Sequence, residues 1–301
     1  MGWTEVEARR AAVAMCELAG LPASELELLR FGSNAVFGVN EAHVLRVMRP
    51  TTSEAEVQRE IDLAHEFVRL DVPTARLAGI AAQQPLKAGN CMGTVWERLH
   101  EPDRGSRYGT LGQLMHAFHQ RTAGLRVPLE PWRQLASSDW RLAAQRDHYA
   151  AQDLTMLTQW SERIAGELDQ VRPVLPGGVI HGQAEVGNVL FRAGHPVFID
   201  FEQVALGPRE WDLVHTAAVI ARFGRPEQHY RDFADAYGFD VRAWEGYQTY
   251  RRLWELCATT WLMQHGHRDR ETTREIELRL QTWRDDNPHT RWSGVLERRQ
   301  R

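Results

Sequence analysis

Lysine is almost absent from this sequence: Lys87 is the only one among 36 basic residues, and arginine supplies the rest. No run of basic residues occurs, and the formal net charge is −4 with a pI near 6.4. Nothing electrostatic is therefore offered to a phosphate backbone, and nucleic acid is not an expected partner. Cysteine is scarce as well. Cys16, Cys91 and Cys257 are odd in number, far apart and in no CxxC spacing, so neither a disulfide framework nor a zinc site is suggested and a reducing, cytoplasmic setting fits. No stretch approaches the roughly 18 consecutive apolar residues of a membrane span. The N-terminus reads as an amphipathic helix rather than a cleavable leader, so neither export nor a membrane partner is expected.

What is present is ordinary globular material: 301 residues, 43% hydrophobic and 25% charged, enough for one large domain or two small ones. Residues 4–19 read as a helix. Glu27–Phe31, Ala35–Val39 and His43–Met48 read as three short strands of a meander, with Arg76–Ile80 and Thr94–Leu99 as two more. Between them Ser53, with Glu56 three positions on, is a helix cap, and the helix it opens runs to about Leu70 and stops before Val72-Pro73. Beyond residue 100 the pattern is mainly helical, with helices expected over Gly109–Thr122, Trp140–Gln152, Asp153–Val171, Glu210–Arg222, Pro226–Tyr237, Val241–Gln264 and Arg270–Arg284. The exception is Gly178 to Phe201, where Val179-Ile180, Val189–Phe191 and Val197–Ile199 are strand-like runs around polar turns.

That exception carries the chemistry. It reads His181-Gly182-Gln183-Ala184-Glu185-Val186-Gly187-Asn188, then Phe198-Ile199-Asp200-Phe201-Glu202, then Gly207-Pro208 and Asp212-Leu213. The three motifs, in this order and spacing, resemble those of the aminoglycoside phosphotransferase and choline kinase family. The resemblance extends back through Phe31-Gly32-Ser33-Asn34 as a nucleotide loop, Val44-Leu45-Arg46-Val47 as the third strand, Glu60 as the helix glutamate, and Trp96-Glu97-Arg98-Leu99 as the linker between lobes. It implies an α+β, protein-kinase-like two-lobed fold with a small antiparallel-sheet N-lobe and a mainly helical C-lobe. The nucleotide-binding lobe would span 1–99. The helical lobe would span 100–301, with a catalytic and metal hairpin at 178–202 and acceptor-binding helices at 210–285.

It also implies an activity, ATP- or GTP-dependent phosphorylation of a small-molecule hydroxyl with Mg²⁺. Phosphoryl transfer needs a divalent metal on oxygen ligands beside the phosphates and a group that positions the attacking hydroxyl. Asn188 and Asp200 are the candidate metal pair, although each taken singly also reads as a turn residue or strand-end cap. Gly32, Ser33, Asn34, Arg46 and Glu60 are expected at the phosphates, and Glu97 and Leu99 at the nucleotide through the linker. Arg46 stands where the family usually has lysine, in keeping with a chain that uses arginine nearly everywhere; arginine remains a strong phosphate partner.

The serious departure is Gln183, at the position of the family's catalytic aspartate, because a carboxamide has no useful basicity. Slowed or base-independent transfer, a pseudokinase that only binds a nucleotide or ligand, and a substituted form of an active kinase all remain open. Glu185, two residues on, could reach toward the acceptor, although the family does not use that position. His181 and Asp212 resemble supports of the catalytic loop. His116 and His119 share a helix face but lack a carboxylate or cysteine to complete a metal site, and His265 and His267 flank a turn. From Asp212 to Arg301 there are 14 acidic and 15 basic residues, not the acidic surplus a polycation would require. Trp211, Trp244, Tyr247, Tyr250, Trp254 and Trp261 suit either stacking on a sugar, nucleoside or amino alcohol or simply a tryptophan-rich core.

Overall fold

The computed structural model describes residues 3–100, 107–266 and 269–294; His267 lies outside them. The architecture is mixed, a small antiparallel sheet in the N-terminal part and helices in the C-terminal part. Its contacts divide into two compact units. The first draws on Met1–Gly105, Gln120–Pro128 and Gly187–Gln203, the second on Ser106–His119, Leu129–Val186 and Val204–Arg301. Residues 187–203, most of the stretch read from the sequence as the hairpin, fall in the first unit.

In the first unit β1 (Glu27–Phe31), β2 (Asn34–Gly38), β3 (His43–Met48), β4 (Leu86–Ala88) and β5 (Cys91–Glu97) form one antiparallel sheet in the order β1-β2-β3-β5-β4. Helix α1 (Glu5–Ala19) covers one face, Ala8, Ala12 and Met15 packing on Ala35, Phe37, Leu45, Val47 and Val95. The approach is close enough that a Cβ on Gly93 of β5 would stand 2.5 Å from Met15 Sδ. Helix α2 (Glu54–Arg69) begins at the expected cap: Glu56 N–H donates to Ser53 Oγ, and the Glu56 carboxylate accepts from Ser53 N–H at 2.7 Å.

Arg76–Ile80 is not a strand. Its side of β5 is shared: β4 pairs with residues 91–93, and the segment at 76–78 contributes only Ala78 N–H to Val95 O and accepts Glu97 N–H at Arg76 O. The fifth strand is Leu86–Ala88, joined to β5 by the two-residue turn Gly89-Asn90, a hairpin signal that the strand-like look of 76–80 obscured.

The hairpin of β7 (Val189–Arg192) and β8 (His195–Phe198) also belongs to the first unit. Phe198 exchanges backbone bonds with Pro73 and Ala75, Phe191 does so with His100, and Phe201 packs edge-on against Phe67 at 5.1 Å.

In the second unit, helix α8 (Tyr247–Met263) is central and packs on α4 (Gln134–Ala144), α5 (Ala151–Leu168), α6 (Glu210–Arg222) and α9 (Arg270–Arg284). Helices α3 (Arg107–Arg121) and α7 (Glu227–Tyr237) and the short antiparallel pair β6 (Gly178–Ile180) and β9 (Ala205–Gly207) also contribute to this unit. Helix α6 and α9 fall on the expected bounds. The helix expected over 140–152 instead covers 134–144, and turns intervene before α5; the helix expected from Val241 starts at Tyr247, because Gly246 is folded against the Trp244 ring, where a Cβ would stand 2.3 Å from it. Among the described residues no helix is long and apolar enough to cross a membrane.

Candidate functional site

On β3 the side chains alternate, so Leu45 and Val47 point into the α1 core and Arg46 points to the opposite face, beside Thr94 of β5. There its guanidinium is shared. Nη1 donates to Glu60 of α2, Nη2 donates to Glu202, and Asp200 Oδ1 lies 3.8 Å from Nη2. Asn34, at the start of β2, donates through Nδ2 to the same Glu202 Oε1 at 2.6 Å, and Arg59 Nη2 donates to the Glu202 carbonyl at 2.9 Å. Burial by itself would lower the Arg46 pKa, but Glu60, Asp200 and Glu202 outweigh it and hold the guanidinium above its ordinary value. Burial pushes the Glu60 carboxyl up, Arg46 opposes this, and the negative charges of Asp200 and Glu202 add to it.

The β7–β8 hairpin sets Asn188 and Asp200 at its open end. Val189 pairs with Phe198, and Ile199 N–H donates to Asn188 O at 3.0 Å, so the two candidate ligands flank the last rung of the ladder. Asn188 is buried, while the Asp200 side chain is 27% exposed and its backbone sits at φ 68°, a left-handed conformation that aspartate tolerates better than most residues. An amide oxygen and a part-exposed carboxylate match the chemistry of Mg²⁺, which takes oxygen ligands and keeps positions for phosphate and water.

Of the other expected nucleotide contacts, Gly32 and Ser33 form the β1–β2 turn, closed by Gly32 N–H donating to Asn34 O. The Glu97 carboxylate, at the end of β5, accepts from Arg76 N–H at 2.9 Å and from Arg192 Nε at 2.8 Å. Leu99, half-buried, lies between Arg98, whose N–H donates to Ala42 O, and His100 on the hairpin.

The second unit holds the remaining motif residues. At the end of β6 the chain turns at Gly182, whose φ of 81° is a left-handed conformation natural to glycine. The N–H groups of His181 and Gly182 both donate to Asp212 in the first turn of α6, at 2.8 Å each, and Trp211 Nε1 donates to Gly182 O at 2.9 Å. His119 of α3 completes the knot, Nε2 lying 3.0 Å from Asp212 Oδ2 and Nδ1 2.9 Å from the Tyr237 hydroxyl. Burial opposes ionisation of Asp212, yet His119, His181 and the backbone donors prevail and hold its pKa below the usual carboxylate value. His181 is fully buried beside Phe118, whereas Gln183 and Glu185 are part-exposed on either side of buried Ala184.

The structure therefore gathers Asn34, Arg46, Glu60 and Asp200 in one cluster, sets Asn188 next to Asp200, and puts His181 on the Asp212 knot of the other unit, with Gln183 following Gly182 in the chain. Glu202 is the member of the cluster not foreseen as a site residue; its place two residues beyond Asp200 in the same motif was the available signal. Glu210, fully buried and accepting from Val174 and Leu175 N–H, had no local signal. Of the six aromatics singled out in the sequence, Trp211, Trp244, Tyr247, Tyr250 and Trp254 are buried in the helical core, with Tyr250 stacked on Trp132 at 5.7 Å. His116 and His119 are bound to Tyr237. A cavity of about 600 Å³, lined by Gln58, Ile61, His65, Val68, Arg76 and Leu77 among others, contains none of the motif residues.

A model described as the phosphotransferase enzyme family matches residues 27–253. No curated protein matches the chain. Among solved structures, amicoumacin kinase hAmiN in complex with AMP-PNP, Ca²⁺ and Ami is similar at a TM-score of 0.75, with 14% identity over 97% of this chain and 99% of that one. A microcompartment-associated aminopropanol kinase is similar at 0.70, with 17% identity over 92% and 98%. A choline/ethanolamine kinase family protein from Mesorhizobium loti is similar at 0.64, with 16% identity over 90% and 92%.

Proposed function

The chain belongs to the phosphotransferase enzyme family, and from that premise we propose that it transfers the terminal phosphoryl group of ATP or GTP to a hydroxyl of a small molecule such as a sugar, nucleoside or amino alcohol. The observation that carries this reading is the cluster of Arg46, Glu60, Asn34, Asp200 and Glu202 beside Asn188. Arg46, steered by Glu60, takes the phosphates, and the Gly32-Ser33-Asn34 turn closes on them. To do so the phosphates replace Glu202 as the partner of Arg46 and Asn34. Asn188 and Asp200 would hold Mg²⁺, which when bound screens phosphate charge and stabilises the charge that develops during transfer. Glu97 and Leu99 position the nucleotide through the linker backbone, since the Glu97 carboxylate is already committed to Arg192 and Arg76.

In the second unit Asp212 holds the His181-Gly182 backbone in place, so that Gln183 faces the acceptor and aligns its hydroxyl without removing the proton. Transfer is accordingly slow, resting on positioning and electrostatics, which supply most of the acceleration in a loose transition state. Three free, buried cysteines suit a reducing, cytoplasmic setting.

Gln183 itself favours a second reading, a pseudokinase that binds a nucleotide or small ligand and transfers nothing. Labelled ATP or GTP with Mg²⁺ and a panel of sugars, nucleosides and amino alcohols separates the two. A phosphorylated product supports the kinase. No product from either the protein or its Gln183→Asp variant, with nucleotide bound, leaves the binding reading in its place.

A further inference from the structure

The cavity of about 600 Å³ beside α2 is built entirely within the first unit, and the proposed reaction makes no use of it. Helix α2 contributes Gln58, Ile61, His65 and Val68, which recur every three or four residues and so share one stripe of the helix. The segment 76–84 supplies the facing wall, and its Leu77 packs on the Val57 and Ile61 cluster at the floor. The volume falls in the range of small-molecule pockets, about 300–1,000 Å³.

That second wall is held in place although it is not a strand. Gln84 Nε2 donates to Ala78 O at 3.3 Å while its Oε1 accepts Val95 N–H of β5 at 2.7 Å. Arg76 is pinned by its backbone, its N–H donating to Glu97 Oε1 at 2.9 Å and its carbonyl accepting Glu97 N–H at 3.0 Å. The cavity is thus formed before anything enters it, which lowers the ordering cost of binding.

Its charge has one sign. His65 and Arg76 are the ionisable residues that line it, and no carboxylate does. Neither side chain makes a hydrogen bond or ion pair among the described residues, and both are exposed. The carboxylates nearest in the chain have other partners: Asp62 accepts from Gln58 at 2.8 Å, Glu66 from Arg69 at 2.6 Å, and Glu97 from Arg192 at 2.8 Å. The rest of the lining offers apolar surface, with Ile61 and Ala64 buried and Val68 standing 47% exposed at the rim.

We infer that this cavity binds a small organic anion with an apolar body, its carboxylate or phosphate monoester head on Arg76 and His65 and its body on Ile61, Leu77 and Val68; the site is independent of whether phosphoryl transfer takes place. A guanidinium answers either head with paired N–H donors, and an imidazole has an N–H to donate in both protonation states. The Gln83 amide, also without a partner among the described residues, adds a further donor at the same wall.

The test takes the full chain and four probes of similar shape, benzoate, phenyl phosphate, benzyl alcohol and benzylamine, each titrated by ligand-observed NMR. At least one anion is expected to bind with a Kd of about 1 mM, as its size allows, and comparison of the two assigns the preferred head. Benzyl alcohol binds about three- to tenfold more weakly, the discount reflecting the exposure of both cations, and benzylamine more weakly still. Arg76→Gln brings the anion down to the affinity of the alcohol, His65→Gln has a smaller effect, and Arg76→Glu makes benzylamine the preferred probe. Both side chains are exposed, so thermal midpoints stay unchanged. ATP with Mg²⁺ leaves the anion bound. Anion affinity that survives Arg76→Gln overturns the inference, as does equal affinity for anion, alcohol and amine. Displacement of the anion by ATP does so too, since it puts the probe on the Arg46 cluster, and so does the lack of saturable binding by about 10 mM.

Discussion

Glu202 sits where two requirements conflict. Its carboxylate neutralises Arg46 and accepts from Asn34, which the phosphates would otherwise engage, yet it is 42% exposed and so can be displaced. Charge-assisted hydrogen bonds to a half-exposed group are worth little more than about 1 kcal/mol after solvent competition. Glu202→Gln should therefore tighten metal-free nucleotide binding by about three- to tenfold, measured calorimetrically in the presence of a chelator. Unchanged or weaker binding would mean that the phosphates do not contact Arg46. At Asp200 the expectation is opposite in sign. Asp200→Ala should remove the dependence of nucleotide affinity on Mg²⁺, because the carboxylate of the proposed metal pair is gone; a titration of Mg²⁺ at fixed nucleotide checks this. Among these residues Arg46, Glu60 and Asp200 were legible in the sequence because motif spacing fixes them. The engagement of Arg46 by Glu202 was not, since the two are joined only after the hairpin returns to the first unit.

At the scale of elements, α6 is held to the β6 loop through Asp212. The pKa of Asp212 is lower in the folded protein than in the unfolded chain, so fewer protons are bound on folding and its contribution favours the native state. That contribution is complete above the ordinary carboxylate value of about 3.9 and is lost as pH falls through the lower folded value. Asp212→Asn loses it at every pH and sets an amide donor against backbone donors, at a cost of about 2–3 kcal/mol. Urea unfolding followed from neutral pH to pH 3 should show the variant less stable at neutrality and with a flatter acid limb; parallel limbs would count against the assignment. Helix α2 was legible to its cap because Ser53 and Glu56 act within one turn. The exchange of Arg76–Ile80 for Leu86–Ala88 was not, because the choice depends on which segment reaches the open edge of β5.

Over the molecule, the second unit closes on charges buried in its helical core. Arg222 is 3% exposed and pairs with Glu255 at 2.6 and 2.8 Å, while its Nη1 donates to the carbonyls of Asn287 and Thr290. Trp292 N–H donates back to Arg222 O, and Trp292 stacks on Trp254. Removing one partner of such a pair strands the other, so Glu255→Ala should cost about 3–5 kcal/mol, whereas replacing both Arg222 and Glu255 by leucine should cost much less. Denaturant midpoints of the single and double variants, with tryptophan fluorescence reporting on Trp254 and Trp292, decide it; equal losses would remove the ion pair as the cause.

By itself the sequence determined the antiparallel sheet, the helices with caps and clear periodicity, the phosphotransferase motifs and the departure at Gln183, because each is written in residues near one another or at fixed spacing. The tertiary structure decided which carboxylates are committed and which are not. It brought Glu202 to Arg46, gave Asp212 to the loop backbone and Glu255 to Arg222, turned five aromatics into core, and left Glu185 beside His215. A side chain's partners depend on segments that meet only when distant parts of the chain pack, and the energy of burying a charge is set by those partners.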